Sequence, residues 1–255
     1  MPQVLPLPAQ LLRPGLVRRP SARALAFAAG AVVAVGLLYL AARETSLFAV
    51  RTLDVTGAPP AVRRDVEEAA APLVGESLVG LDGAELRGEL EALPSVRSAH
   101  VDRAFPNTLR IAVVPERPAA VLRRGADAWL VSKRGRVIAA IAVEARPGLP
   151  RIRAAGEAPP PVPGEVLEGG ESEAALAAVA AMGRGFARRV RLVRTRNGSI
   201  TLLLRDGPEL RLGSPDELPL KIAVGAALLR SLPAEEREAL AYLDVSVPER
   251  PVGGS

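Results

Sequence analysis

The chain contains no cysteine and a single histidine, His100. The first absence excludes disulfide staples, thiolate metal sites and a cysteine nucleophile. The second leaves no imidazole cluster for a metal and makes any Ser-His-Asp arrangement depend on one residue. Aromatics are scarce at 3%, so the core must be built from Leu, Val, Ile and Ala. Lysine is nearly missing: Lys133 and Lys221 are the exceptions among 33 basic residues. The net charge of +5 therefore reads as arginine spread over solvated faces. No aromatic-interleaved run, zinc-finger spacing or basic helix turns it into a nucleic-acid signature.

Catalytic motifs are lacking as well. Gly75-Glu-Ser77 has no closing glycine for a nucleophile elbow. Gly183-Arg-Gly185 lacks the third glycine of a dinucleotide fingerprint and falls late in a helical pattern. Glu67-Glu68 and Glu235-Glu236 are adjacent on helical patterns, so their carboxylates point apart. His100 stands on a strand face beside Ser98 and Asp102, as a solvated polar residue does. The chain reads as no enzyme, with no cofactor, metal or small-molecule substrate.

One long apolar run is present. From Ala24 to Ala42 lie 19 uncharged residues between Arg23 and Arg43. As a helix they would extend roughly 28 Å, close to the hydrocarbon thickness of a bilayer. Upstream stand Arg13, Arg18, Arg19 and Arg23 with no acid. The positive-inside bias then predicts a cytoplasmic N-terminus (residues 1–23), a transmembrane helix over 24–42, and an extracytoplasmic body. A cleaved signal peptide fits less well. The run is longer than its usual apolar core, and Leu40-Ala41-Ala42 puts leucine where a small residue is wanted.

The body begins with Leu53 and Val55 alternating with polar neighbours, ended by Gly57-Ala-Pro-Pro. Val62, Val66, Ala70 and Leu73 trace one helix face; Leu86, Leu90 and Leu93 trace a second, behind an Asp82 cap with Glu85 three places on. Ala99, Val101 and Arg103 then alternate with Ser98, His100 and Asp102, Phe105-Pro-Asn turns, and Leu109, Ile111 and Val113 alternate again. The order is strand, helix, helix, strand, strand: a three-stranded sheet with two helices on one face.

After Pro118 short strands dominate. Ala120–Leu122, Trp129–Val131 and Val137-Ile138 flank a basic turn, Lys133-Arg-Gly-Arg136. Pro159 to Pro163 form an extended loop, and 171–189 reads as one helix. Strands follow at 190–193, 200–204 and 209–212, joined by Asn197-Gly198 and Asp206-Gly207. Ser214-Pro-Asp-Glu217 is a capping box for a further helix, although Pro219 allows its start to slip by a turn. A last strand, Tyr242–Val247, precedes a short polar tail, 248–255.

Three strings carry a resemblance: Phe48-x-Val50-x-x-Leu53-x-Val55-x-Gly57, Leu93-Pro94-x-Val96-x-x-Ala99-x-Val101-x-Arg103, and Pro106-x-x-Leu109-x-Ile111-x-Val113-x-Glu116-Arg117. They resemble a POTRA domain, and the whole order is similar to the bacterial cell-division family FtsQ/DivIB. Phe105 departs from the tryptophan the family often has before that proline, but it keeps an aromatic. The fold class implied is α+β: one transmembrane helix, a POTRA domain over 46–116, and a mixed β domain with two or more helices over 117–247. The resemblance implies a single-pass scaffold at the division septum that controls septal wall synthesis by recruiting FtsB- and FtsL-type partners. Strand addition would be the means, at a final strand with no successor to cover it: Tyr242, Leu243, Asp244, Val245, Ser246 and Val247. Arg196, with Arg194, matches a basic position near that edge. An alternative, a POTRA-bearing transport or surface-assembly component, predicts further POTRA copies or a membrane barrel.

Overall fold

A computed structural model of the protein describes residues 21–44, 46–153 and 159–255. The expected basic tail lies outside them as far as residue 20. Ala22–Glu44 form helix α1, 23 residues long. Its described apolar side chains are exposed, Phe27 at 85% and Val32 at 72%. The expected span 24–42 falls partly on side chains outside the described set. Among the described residues no helix is long and apolar enough to cross a membrane.

The first unit comprises β1 (Thr52–Thr56), α2 (Pro60–Ala70), α3 (Gly83–Ala92), β2 (Val96–Ala104) and β3 (Thr108–Pro115). The sheet order is β1-β3-β2, with β1 parallel and β2 antiparallel to the central strand. Register sets Val55 beside Ile111 and Ala99 beside Val113. The alternation of Leu109, Ile111 and Val113 buries all three on the face that Val66, Ala70, Leu86 and Leu90 cover from the two helices. A register shift between Val96 and Ser98 brings Val96 to that same face as Ala99. Phe48, ahead of β1, and Phe105, in the turn between β2 and β3, meet edge to face at 5.7 Å.

Asp82 caps α3 as its spacing predicts. Its Oδ1 accepts from the N–H groups of Ala84 (2.8 Å) and Glu85 (3.2 Å). Those two bonds hold the Asp82 carboxyl below its ordinary range, and Arg103 adds to the effect. A carboxylate whose folded pKa is depressed adds stability that is full above its unfolded pKa and lost as pH falls through the folded value. Asp82→Ala is therefore expected to lower the melting temperature of this unit more at pH 7 than at pH 3. An equal effect at both pH values would show that the charged cap contributes nothing.

The second unit is a nine-stranded mixed sheet. Its strands are β4 (Pro118–Arg124), β5 (Asp127–Ser132), β6 (Val137–Ile141), β7 (Arg151–Arg153), β8 (Val190–Arg196), β9 (Ser199–Leu204), β10 (Glu209–Gly213), β11 (Tyr242–Asp244) and β12 (Val252–Gly254). They lie in the order β12-β11-β10-β9-β8-β7-β4-β5-β6. Helices α4 (Gly170–Ala181) and α6 (Leu218–Ser231) pack on one face, and their buried side chains share a core with Leu122, Ile152, Leu202, Leu210 and Leu243. Asn197 and Gly198 both have positive φ (50° and 75°), the geometry a two-residue hairpin requires.

Two expectations are corrected here. The single helix over 171–189 is two: α4 ends at Ala181, Met182 is extended and buried, and α5 is the short turn Arg184–Ala187. Glycine at 183 and 185 weakens helix continuation, and the core takes the Met182 side chain instead. The capping box at Ser214 does not cap. α6 starts one turn later at Leu218, with Pro219 in its first turn, where a missing N–H costs nothing. Ser214 instead accepts from the buried Lys221: Nζ lies 3.1 Å from its carbonyl and 3.3 Å from its hydroxyl.

The basic turn between β5 and β6 fastens three elements. Lys133 Nζ donates to the carbonyls of Ala180 (3.0 Å) and Met182 (3.2 Å) at the end of α4. Arg136 Nη2 donates to the carbonyls of Glu91, Ala92 and Leu93 at the end of α3, 2.9–3.2 Å away, so the second unit caps a helix of the first. Arg134 pairs with the buried Glu116 at the junction between them.

Candidate partner-binding edge

The final strand does not form an open rim. β11 covers only Tyr242–Asp244, and it is paired on both sides. On its inner side it runs parallel to β10, with Leu210 beside Leu243 and Arg211 beside Asp244. On its outer side β12 runs antiparallel, setting Gly254 against Tyr242, Gly253 against Leu243 and Val252 against Asp244. The expected polar tail thus contains a strand, and the edge of the sheet on this side belongs to β12. The expected strand stops short because Asp244 Oδ1 accepts from the Ser246 N–H at 2.8 Å, an Asx turn that bends the chain away.

The seven residues singled out from the sequence separate accordingly. Leu243 and Val245 are buried in the core, and the Val245 N–H donates inward to the Arg211 carbonyl at 2.9 Å. Neither offers a side chain to a partner. Tyr242, Asp244 and Ser246 are half-buried, and Val247 is exposed. Arg196 ends β8 beside the Asn197-Gly198 turn, three strands from β11. At the usual strand spacing that is about 14 Å, so it lies on the same sheet but outside the edge itself.

The structure adds Thr201 and Arg211, which the sequence did not reveal. With Arg194 and Asp244 they are cross-strand neighbours in one row, on the face turned away from α4 and α6. The Arg211 guanidinium lies 3.7 Å from the centre of the Tyr242 ring and holds it by cation–π contact. Arg194 Nη1 reaches Glu209 Oε1 at 3.6 Å, an exposed pair of small worth. No local signal marked Arg211, because its partner Tyr242 is 31 positions away. A cavity of about 1000 Å³ lies at the junction of the two units among Arg97, Arg117, Arg134 and Arg188, away from this edge. Strand addition needs a row of main-chain groups rather than a hollow, so backbone pairing places the candidate site at β11 and β12.

Comparison with known proteins agrees with this division of the chain. Residues 48–116 match the family described as POTRA domain, FtsQ-type, and residues 120–246 match that described as cell division protein FtsQ/DivIB, C-terminal. A cell division protein FtsQ of Anaeromyxobacter sp. (strain K) is 30% identical over 253 residues, covering 91% of this chain and 82% of that protein. The chain belongs to the FtsQ/DivIB cell-division family. The FtsQ of Streptomyces venezuelae is 28% identical over 248 residues, with 92% of this chain and 84% of that protein covered. The FtsQ of Mycobacteroides abscessus is 29% identical over 203 residues, 78% of this chain and 61% of that protein. An FtsQ/DivIB chain acts in the bacterial division machinery, and the candidate edge lies where its C-terminal domain ends.

Proposed function

We propose that this chain is a membrane-tethered, non-enzymatic scaffold of the divisome, which recruits FtsB- and FtsL-type partners through the β11–β12 end of its large sheet. One observation carries this reading: a single chain joins an FtsQ-type POTRA domain to an FtsQ/DivIB C-terminal domain. Main-chain hydrogen bonds to an added strand supply affinity, and the side chains around Tyr242 and Arg211 supply choice. The tether is the helix α1. Its support is the uncharged run between Arg23 and Arg43 and the exposed Leu25, Phe27, Val32, Val33 and Leu37. The arginine-rich, acid-free N-terminus supports an inside orientation for residues 1–23 and an outside one for the body.

A fluorescent fusion to the N-terminus tests the reading. A band at mid-cell in dividing cells is expected, together with co-purification of FtsB- and FtsL-type proteins from detergent-solubilised membranes. Uniform membrane fluorescence with neither protein recovered would defeat it.

A further inference from the structure

The outer side of β11 is occupied by three residues of the same chain. We infer that Val252–Gly254 is a displaceable self-strand, an internal stand-in for the partner's segment, so that seating it and capturing the partner exclude each other. The inference rests on the recruitment reading above and adds to it a built-in competitor and a rule for what the partner presents.

The two sides of β11 are held very differently. Inward, β11 is locked: Leu243 lies in the core, and Val245 just beyond is fully buried and bonded to Arg211. Outward, β12 makes three residue pairs and a 2.8 Å bond from the Ala241 N–H to the Gly254 carbonyl. It adds little apolar burial, since Val252 is 56% exposed and the other two residues are glycine. Its hold is therefore mostly main-chain hydrogen bonding, which water replaces at small net loss. Glycine also has the largest conformational freedom to regain on release. Removing β12 would uncover a strand edge already formed and aligned.

The same contacts define the incoming segment. A Cβ on residue 254 would lie 2.6 Å from the Tyr242 ring, and one on residue 253 would lie 3.0 Å from Leu240 Cδ2. With Arg211 holding the ring on its face, any side chain opposite Tyr242 must displace that ring, so glycine fits there best. The partner class is thus an extended polypeptide, antiparallel to β11, with glycine at that place.

The test uses the full chain in detergent, a chain ending at Glu249, and full-length Gly254→Val. The probe is a labelled synthetic peptide copying residues 248–255, with a second version carrying valine at 254. The shortened chain is expected to bind the first peptide at least roughly ten-fold more tightly than the full chain, because the competent fraction is no longer limited by self-pairing. The valine peptide should bind neither. Gly254→Val should behave like the shortened chain, which keeps the test decisive if shortening prevents folding. The shortened chain should also recover more FtsB-type partner from membranes. Equal peptide binding by full and shortened chains overturns the self-strand. Peptide capture without any partner recovery by either form leaves the self-strand standing and defeats the recruitment reading instead.

Discussion

Gly57→Ala is expected to unfold the POTRA domain while the second domain stays intact. Gly57 closes β1 with φ +80°, and a Cβ there would lie 2.4 Å from the Val113 carbonyl oxygen. Two costs combine. A left-handed backbone disfavours alanine by about 1–2 kcal/mol. The overlap is with main chain, so no rotamer relieves it. β3 cannot retreat either, because it is the central strand, paired to β1 on one side and β2 on the other. A total of about 3 kcal/mol or more follows, a large fraction of what a domain of this size has to lose. For a domain of roughly 70 residues that moves the melting temperature down by more than about 10 °C. The only tryptophan, Trp129, sits in β5 of the other domain and reports on it separately. Calorimetry should show the first transition lost or lowered with the Trp129 emission unchanged. A shift below about 3 °C would show that β1 and β3 move apart freely.

Ile152→Ala should weaken the second domain to a similar extent. β7 is three residues long, yet it joins the β4–β6 block to the β8–β12 block, parallel to both neighbours. Ile152 is fully buried, with Leu122 beside it on one strand and Val193 on the other. Truncation leaves a cavity at that seam, costing about 3–4 kcal/mol, whereas Ile152→Val costs about 1. Urea unfolding followed by Trp129 emission should show a lower midpoint at constant slope for Ala and a small change for Val. If the two variants unfold alike, β7 is not the seam.

Much of the fold was legible because its signals are local. The alternation of Leu109, Ile111 and Val113, the helical spacing of Val66 and Ala70, the Asp82 cap and the Asn197-Gly198 hairpin each lie within a few residues. Each is expressed in the structure with its expected burial or backbone angle. β7 was invisible for the opposite reason. Arg-Ile-Arg has no alternation to read, and its partners β4 and β8 lie about thirty or more positions away in sequence. The Ser214 box had correct chemistry for a cap, but a buried ammonium nearby needed the same oxygens more. Val252-Gly-Gly reads as tail because glycine has no strand preference; only an existing edge can recruit it.

From its sequence alone this chain determined its two-domain α+β order, its family strings and the position of its last apolar strand, since periodicity and turn chemistry are written residue by residue. Whether that strand faced water was decided only by the assembled sheet. An edge is a property of what lies beside a strand, and here the neighbour is a glycine pair that becomes a strand only against Tyr242 and Leu243.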